Sequence, residues 1–151
     1  MKLQAPFILS IAIALVCLTS CEKMQYEGIE TWRIASTTSF DMTLYNDTGD
    51  SFTFHHSDDY LYKKQNEDGS EPEKWTILNK YKRSPRGGEL MKEFNELYEE
   101  GYEYIIEVSI FQINAPIPTC AVFNRIVSKE KKESFVTPFN VELLTPGGFG
   151  E

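Results

Sequence analysis

From Trp32 onward the chain is written in short runs of alternating apolar and polar residues, separated by turn-forming clusters. That period of two is the signature of half-buried β-strands. Trp32-Arg33-Ile34-Ala35 opens the first run and Phe40-Asp41-Met42-Thr43-Leu44 the second. The cluster Asn46-Asp47-Thr48-Gly49-Asp50 is a turn, and Ser51-Phe52-Thr53-Phe54 resumes the alternation, so the two runs flanking it predict a β-hairpin. Tyr60-Leu61-Tyr62 is a further short run. Gln65 to Lys74 has no apolar residue and carries Gly69 and Pro72, which makes it an exposed loop. Trp75 to Leu78, continuing toward Tyr81, predicts another strand, broken by Ser84-Pro85-Arg86-Gly87-Gly88.

The period changes once. Between Glu89 and Glu100 the apolar residues Leu90, Met91, Phe94, Leu97 and Tyr98 fall on one face of a helix, with Gly101 where a left-handed C-terminal cap belongs. Glu99 and Glu100 oppose the helix dipole, so the last turn is expected to fray. Tyr102 to Ile113 is the strongest strand: Tyr102, Tyr104, Ile106, Val108 and Ile110 share a face, and Glu103, Glu107 and Ser109 mark the other, expected to face solvent. Asn114 to Pro118 ends it. Cys120 to Ser128 predicts the next strand, Lys129 to Glu133 a charged turn, and Phe135 to Leu144 a last strand, at an edge because of Pro138. About seven strands and one short helix predict a mainly β fold, a small antiparallel β-sandwich or barrel.

The first twenty residues follow a different logic. Met1-Lys2 is a minimal positive start, and Phe7 to Leu18 is an apolar run of twelve residues. That is too short for a bilayer core, which takes roughly 20. Small residues then precede a cysteine in Leu18-Thr19-Ser20-Cys21, and polar Glu22 and Lys23 follow at once. The combination reads as a bacterial lipobox at the end of an export signal. It marks Cys21 for acylation with palmitate-type chains, each buried methylene contributing about 0.8 kcal/mol to anchoring. The expected organisation is a signal peptide over 1–20, a lipidated tether over 21–30, one β-rich domain over 31–145 and a tail over 146–151. The expected place is the bacterial cell envelope, the outer membrane being favoured, with the domain facing the periplasm or the exterior.

Cysteine use follows from this. Cys17 leaves with the signal and Cys21 is taken by lipid, so Cys120 stays alone and no disulfide is available. Its neighbours in Thr119-Cys120-Ala121-Val122-Phe123 suit a small buried hydrophobe. The whole chain carries 15 basic and 23 acidic residues. Without Lys2 the mature part has 14 against 23, a net charge of −9. Such a surface repels nucleic acid and anionic headgroups, so the partners expected are the membrane, through lipid on Cys21, and a protein or glycan of the envelope.

Candidate chemistry is sparse. His55-His56-Ser57-Asp58-Asp59 is the one cluster of metal-ligating residue types. On a strand His55 and His56 diverge, which leaves His56 with Asp58 as weak metal candidates and no third histidine to complete a site. No Gly-x-Ser-x-Gly elbow and no phosphate-loop or dinucleotide fingerprint occurs. With 23 acidic residues, carboxylate pairs arise by chance; Glu103 and Glu107, four apart on one strand face, are one such pair for hydrolysis, against the plainer reading of a solvent face. Tyr26, Tyr45, Tyr60, Tyr62, Tyr81 and Trp75 are candidates for a sugar-stacking platform, against the plainer role of core packing. No catalytic residue and no cofactor is assigned.

Phe94 to Tyr104, with its Gly101-Tyr102-Glu103-Tyr104 close, resembles the core of a family of small uncharacterised domains in bacterial secreted proteins and lipoproteins. The likeness continues through Trp75, the apolar strand Ile105 to Ile113, the Pro-containing turn Asn114 to Pro118, and Val127-Ser128-Lys129. It covers about 55 residues, with Trp32 to Ser36 matching more loosely as the opening strand. The cysteines frequent in the family's first half are missing, and Phe135 to Leu144 extends beyond the pattern. The resemblance implies a compact β-rich envelope domain and carries no catalytic residue. The expectation is therefore a lipid-anchored binding or interaction module without enzymatic activity, the alternative being a carboxylate-dependent hydrolase acting on envelope glycan.

Overall fold

A computed structural model describes residues 24–83, 89–113 and 120–142. The signal over 1–20 with its lipobox, the turn after Ile113 and the tail over 146–151 lie outside the described residues. Among the described residues, eight strands and one helix follow in the order β1 (Met24–Ile34), β2 (Phe40–Tyr45), β3 (Ser51–His56), β4 (Asp59–Lys64), β5 (Trp75–Asn79), α1 (Lys92–Leu97), β6 (Tyr102–Ile113), β7 (Cys120–Lys131) and β8 (Val141–Glu142). Six strands form one open sheet in the order β7-β6-β1-β4-β5-β8, and β2 with β3 forms a separate hairpin. The fold is mainly β, and the sheet does not close into a barrel. Every pairing is antiparallel except that of β5 with β8, where Trp75 meets Val141 in parallel.

Alternation along the strands puts apolar side chains on both faces of the sheet. On one face Trp32, Ile34, Tyr60, Tyr104, Ile106, Val108 and Phe123 gather with Met91 and Phe94 from the helical segment. On the other, Ala35, Leu61, Trp75 and Val141 are covered by Phe40 and Met42 of the hairpin, with Val136 alongside. Neighbours Tyr60 and Leu61 belong to opposite cores, so β4 is a central strand buried on both sides. Helix, sheet and hairpin thus stack as three layers around that point.

Four expected boundaries move. The tether expected over 21–30 is already strand from Met24, because backbone pairing with β6 runs from Met24↔Ile113 and passes a bulge between Tyr26 and Gly28. The helix expected from Glu89 to Glu100 spans only Lys92–Leu97. Tyr98 is extended, and the two glutamates after it are drawn to partners elsewhere: Glu100 accepts from the Thr38 amide at 3.0 Å, and Glu99 pairs with Lys129. Gly101, at φ 87°, turns the chain into β6 rather than capping the helix. The charged turn expected at Lys129 is strand as far as Lys131, paired with Tyr102. The strand expected from Phe135 begins only at Val141, since Thr137 and Asn140 close a turn around Pro138 (Asn140 N–H to the Thr137 carbonyl, 3.2 Å); its expected end at Leu144 lies outside the described residues.

Candidate binding cleft

Arg33 on β1, Lys63 on β4 and Trp75 on β5 occupy successive register positions across one face of the sheet. The segment after β7 crosses this face, and between the two lies a cleft of about 690 Å³. Its charged wall is a network centred on Arg33. The guanidinium donates through Nε to both Glu71 oxygens at 2.9 and 2.8 Å, and through an NH group to Glu103. Gln65 adds a donor to Glu71 at 2.8 Å. Lys132 reaches Glu103 at 3.1 Å, and the Ser134 hydroxyl donates to its second oxygen at 2.9 Å. Ser134 in turn exchanges hydrogen bonds with Ser36 in both directions, amide to hydroxyl, at 2.8 and 2.9 Å. Gly101 closes the connection, donating to the Ser36 carbonyl at 2.8 Å and accepting from the Lys132 amide at 3.3 Å.

Glu103 is therefore not the solvent-facing residue its strand position suggested. It is only 5% exposed. Burial alone pushes its carboxyl up, yet the hydrogen bonds from Lys132, Ser134 and Arg33 together outweigh burial and hold it below the usual carboxylate value. Glu71 behaves alike: burial raises it, and hydrogen bonds from Arg33 and Gln65 win. Both remain ionised at neutral pH. Glu107, four residues on, is paired with Arg125 on β7 and is not in the cleft.

The other side of the cleft is aromatic. Trp75 is buried in its floor, its indole N–H donating to the Phe135 carbonyl at 3.0 Å, with the Lys63 ammonium 4.8 Å over the ring. Phe135 and Phe139 stand at the rim, 79% and 71% exposed. The turn that presents them is fixed by Asn140, which accepts from the Thr137 amide at 2.7 Å and donates to the Phe135 carbonyl at 2.9 Å. Two rigidly placed phenylalanines left in solvent beside a charged wall are suited to holding a partner, not to packing a core. A second hollow, of about 590 Å³, runs along β1 beside Gly28 and Gln65 and is lined mostly by polar groups.

The other residues singled out from the sequence are dispersed. His56 bonds Asp59 at 2.7 Å, not Asp58, which sits in a left-handed turn at φ 69°. His55 faces away to Asp41 at 2.9 Å. Among the described residues no three His, Cys, Asp or Glu side chains gather to hold a metal ion. The aromatic platform does not form either: Tyr60 is core, Tyr62 stacks on Trp32 at 4.2 Å, Tyr26 meets Phe111, and Tyr45 and Tyr81 are exposed elsewhere. Cys120 is a buried free thiol. Arg33, Lys132, Ser134 and the two rim phenylalanines had no signal in the sequence, because the cleft joins segments about a hundred residues apart. No protein-family model matches the chain, and no curated protein or solved structure is detectably similar to it.

Proposed function

We propose that this chain is a lipoprotein of the bacterial cell envelope, acylated at Cys21, whose β domain is a non-enzymatic binding module for a protein or glycan partner. The address rests on Leu18-Thr19-Ser20-Cys21 and the apolar run before it. The kinship to small envelope domains drawn from Gly101 to Tyr104 belongs to the same reading. The observation that carries the binding role is the cleft: its inner carboxylates, Glu71 and Glu103, are already paired with Arg33 and Lys132, while Phe135 and Phe139 remain free for contact. A photocrosslinking residue at Phe139 is expected to capture one defined envelope component in cells, and the same residue at Lys131 is not. Equal labelling from both positions, or none from Phe139, would sink the binding role. Mass spectrometry of the N-terminal peptide tests the anchor independently, since an unacylated Cys21 contradicts it.

The hydrolase is the second reading, supported by Glu71 and Glu103 converging on Arg33 in one cleft. Glycoside hydrolysis needs one carboxyl held protonated as the acid. Both groups here are pulled the other way, so the binding role ranks first. Release of reducing ends from envelope glycan, lost in Glu103→Gln while the variant still folds, would reverse that order.

A further inference from the structure

The charges of this acidic chain are not spread evenly along its long strands. β1 and β6 pair antiparallel, and β6 pairs antiparallel with β7, so Met24, Ile113 and Cys120 all lie at one end of the sheet. At that end the stretches 24–28, 110–113 and 120–123 contain a single charged residue, Glu27. At the opposite end lie Glu99, Glu100, Glu103, Lys129, Glu130, Lys131, Lys132 and Glu133. These charge-poor strand ends are flanked by Glu67 and by the Arg83–Glu89 bridge, but they are not buried. Tyr26 is 55% exposed and meets its cross-strand partner Phe111 edge to face, with ring centroids 5.6 Å apart. The bulge at Gly28 shifts the alternation by one, so Ile29, also exposed, follows on the same face, opposite Ser109.

Chain length says what lies against this end. Only two residues separate Cys21 from Met24, a reach of about 10 Å over three Cα–Cα steps even when fully extended. The strands then run about 40 Å to the charged end. We propose that the Tyr26–Phe111 end of the sheet rests in the headgroup region of a zwitterionic membrane, so that the domain stands end-on over its anchor. This rests on acylation at Cys21. Tyrosine suits that position because its ring is apolar and its hydroxyl stays hydrated. An acidic body and a charge-poor, aromatic end also favour one orientation over lying flat, since Glu130 and its neighbours keep their hydration only when held away from lipid.

The test uses the full chain, matured in a bacterial host and reconstituted into phosphatidylcholine vesicles with brominated acyl chains. Tyr26→Trp is expected to lose emission to the bromine quencher relative to the parent, whose Trp32 and Trp75 are both buried. Lys131→Trp, at the far end, is expected to lose none. Phe111→Trp repeats the measurement should Tyr26→Trp fold poorly. Mass spectrometry of the same samples reports the acyl chains. Acylated protein with quenching at 26 or 111 alone supports the proposal. Acylated protein without quenching there, or with equal quenching at 131, overturns the end-on seat and leaves the anchor standing. Unacylated protein overturns both.

Discussion

Glu103 shows how a single residue can be misjudged from its strand position. Its place in Tyr102-Glu103-Tyr104 assigns it to the polar face, and that face was expected to be wet. Whether it is wet depends on what crosses it, and the segment carrying Lys132 and Ser134 does so. Removing Glu103 leaves Arg33 with Glu71 and a half-exposed Lys132, but it strips the buried Ser134 hydroxyl of its acceptor and empties a filled site. Glu103→Ala is therefore expected to lower stability by about 2 kcal/mol in urea denaturation. The pH dependence has a definite sign. The folded carboxyl titrates below its usual value of 4.5. Its contribution is complete above that value and is lost as pH falls through the lower folded one. The urea midpoint of the parent is expected to drop as pH falls below 4.5, and Glu103→Gln to flatten that slope.

At the scale of elements, periodicity located most strands and missed their ends. The hairpin from Phe40 to His56 was legible because its alternation and its turn cluster both lie within seventeen residues. Asn46 fixes that turn, its side-chain oxygen accepting from the Asp50 amide at 2.8 Å and the Thr48 amide at 3.1 Å. The helix was legible in kind but not in length. Six residues are far short of what is stable alone, roughly 12–15 in water, so α1 exists because Phe94 is docked. Its ring lies 5.2 to 5.8 Å from those of Tyr60, Tyr98, Tyr104 and Phe123. The Tyr60 hydroxyl then ties the next residue, Asn95, at 2.8 Å. Phe94→Ala is expected to cost about 4 kcal/mol, by cavity formation and lost burial, with helical circular dichroism falling together with the thermal midpoint. The stretch after Lys131 was illegible for the opposite reason: Phe135, Val136 and Phe139 look like strand residues, but Asn140 closes a turn instead and leaves both phenylalanine rings outside.

For the molecule as a whole, the two-core arrangement explains how the described residues, whose one cysteine is the free thiol of Cys120, sustain a fold. β4 and the end of β1 contribute to both cores, so Trp32 to Ile34 and Tyr60 to Tyr62 are held from both faces and by neighbours on both edges. In native-state hydrogen exchange their amides are expected to be the slowest, exchanging only by global unfolding, and those of β2–β3 to open well before. Rapid exchange at Ile34 and Leu61 would contradict a shared centre. The two proposals also fit one geometry. With the Tyr26–Phe111 end at the lipid, the cleft around Arg33 and Glu103 lies toward the far end of the strands, some 30 Å away, where a partner can reach it without touching the membrane.

The sheet order has a consequence for how such a chain comes into being. β1, the first of the described strands, has its longest pairing with β6, and the two meet only after 67 intervening residues have followed. Pairing over that separation is slow. Trp32 to Ile34 find β4 early, but the stretch from Met24 to Thr31 waits for β6. If the chain is exported as proposed, that topology leaves the sheet incomplete until Tyr102 to Ile113 have crossed, and the fold closes only after passage.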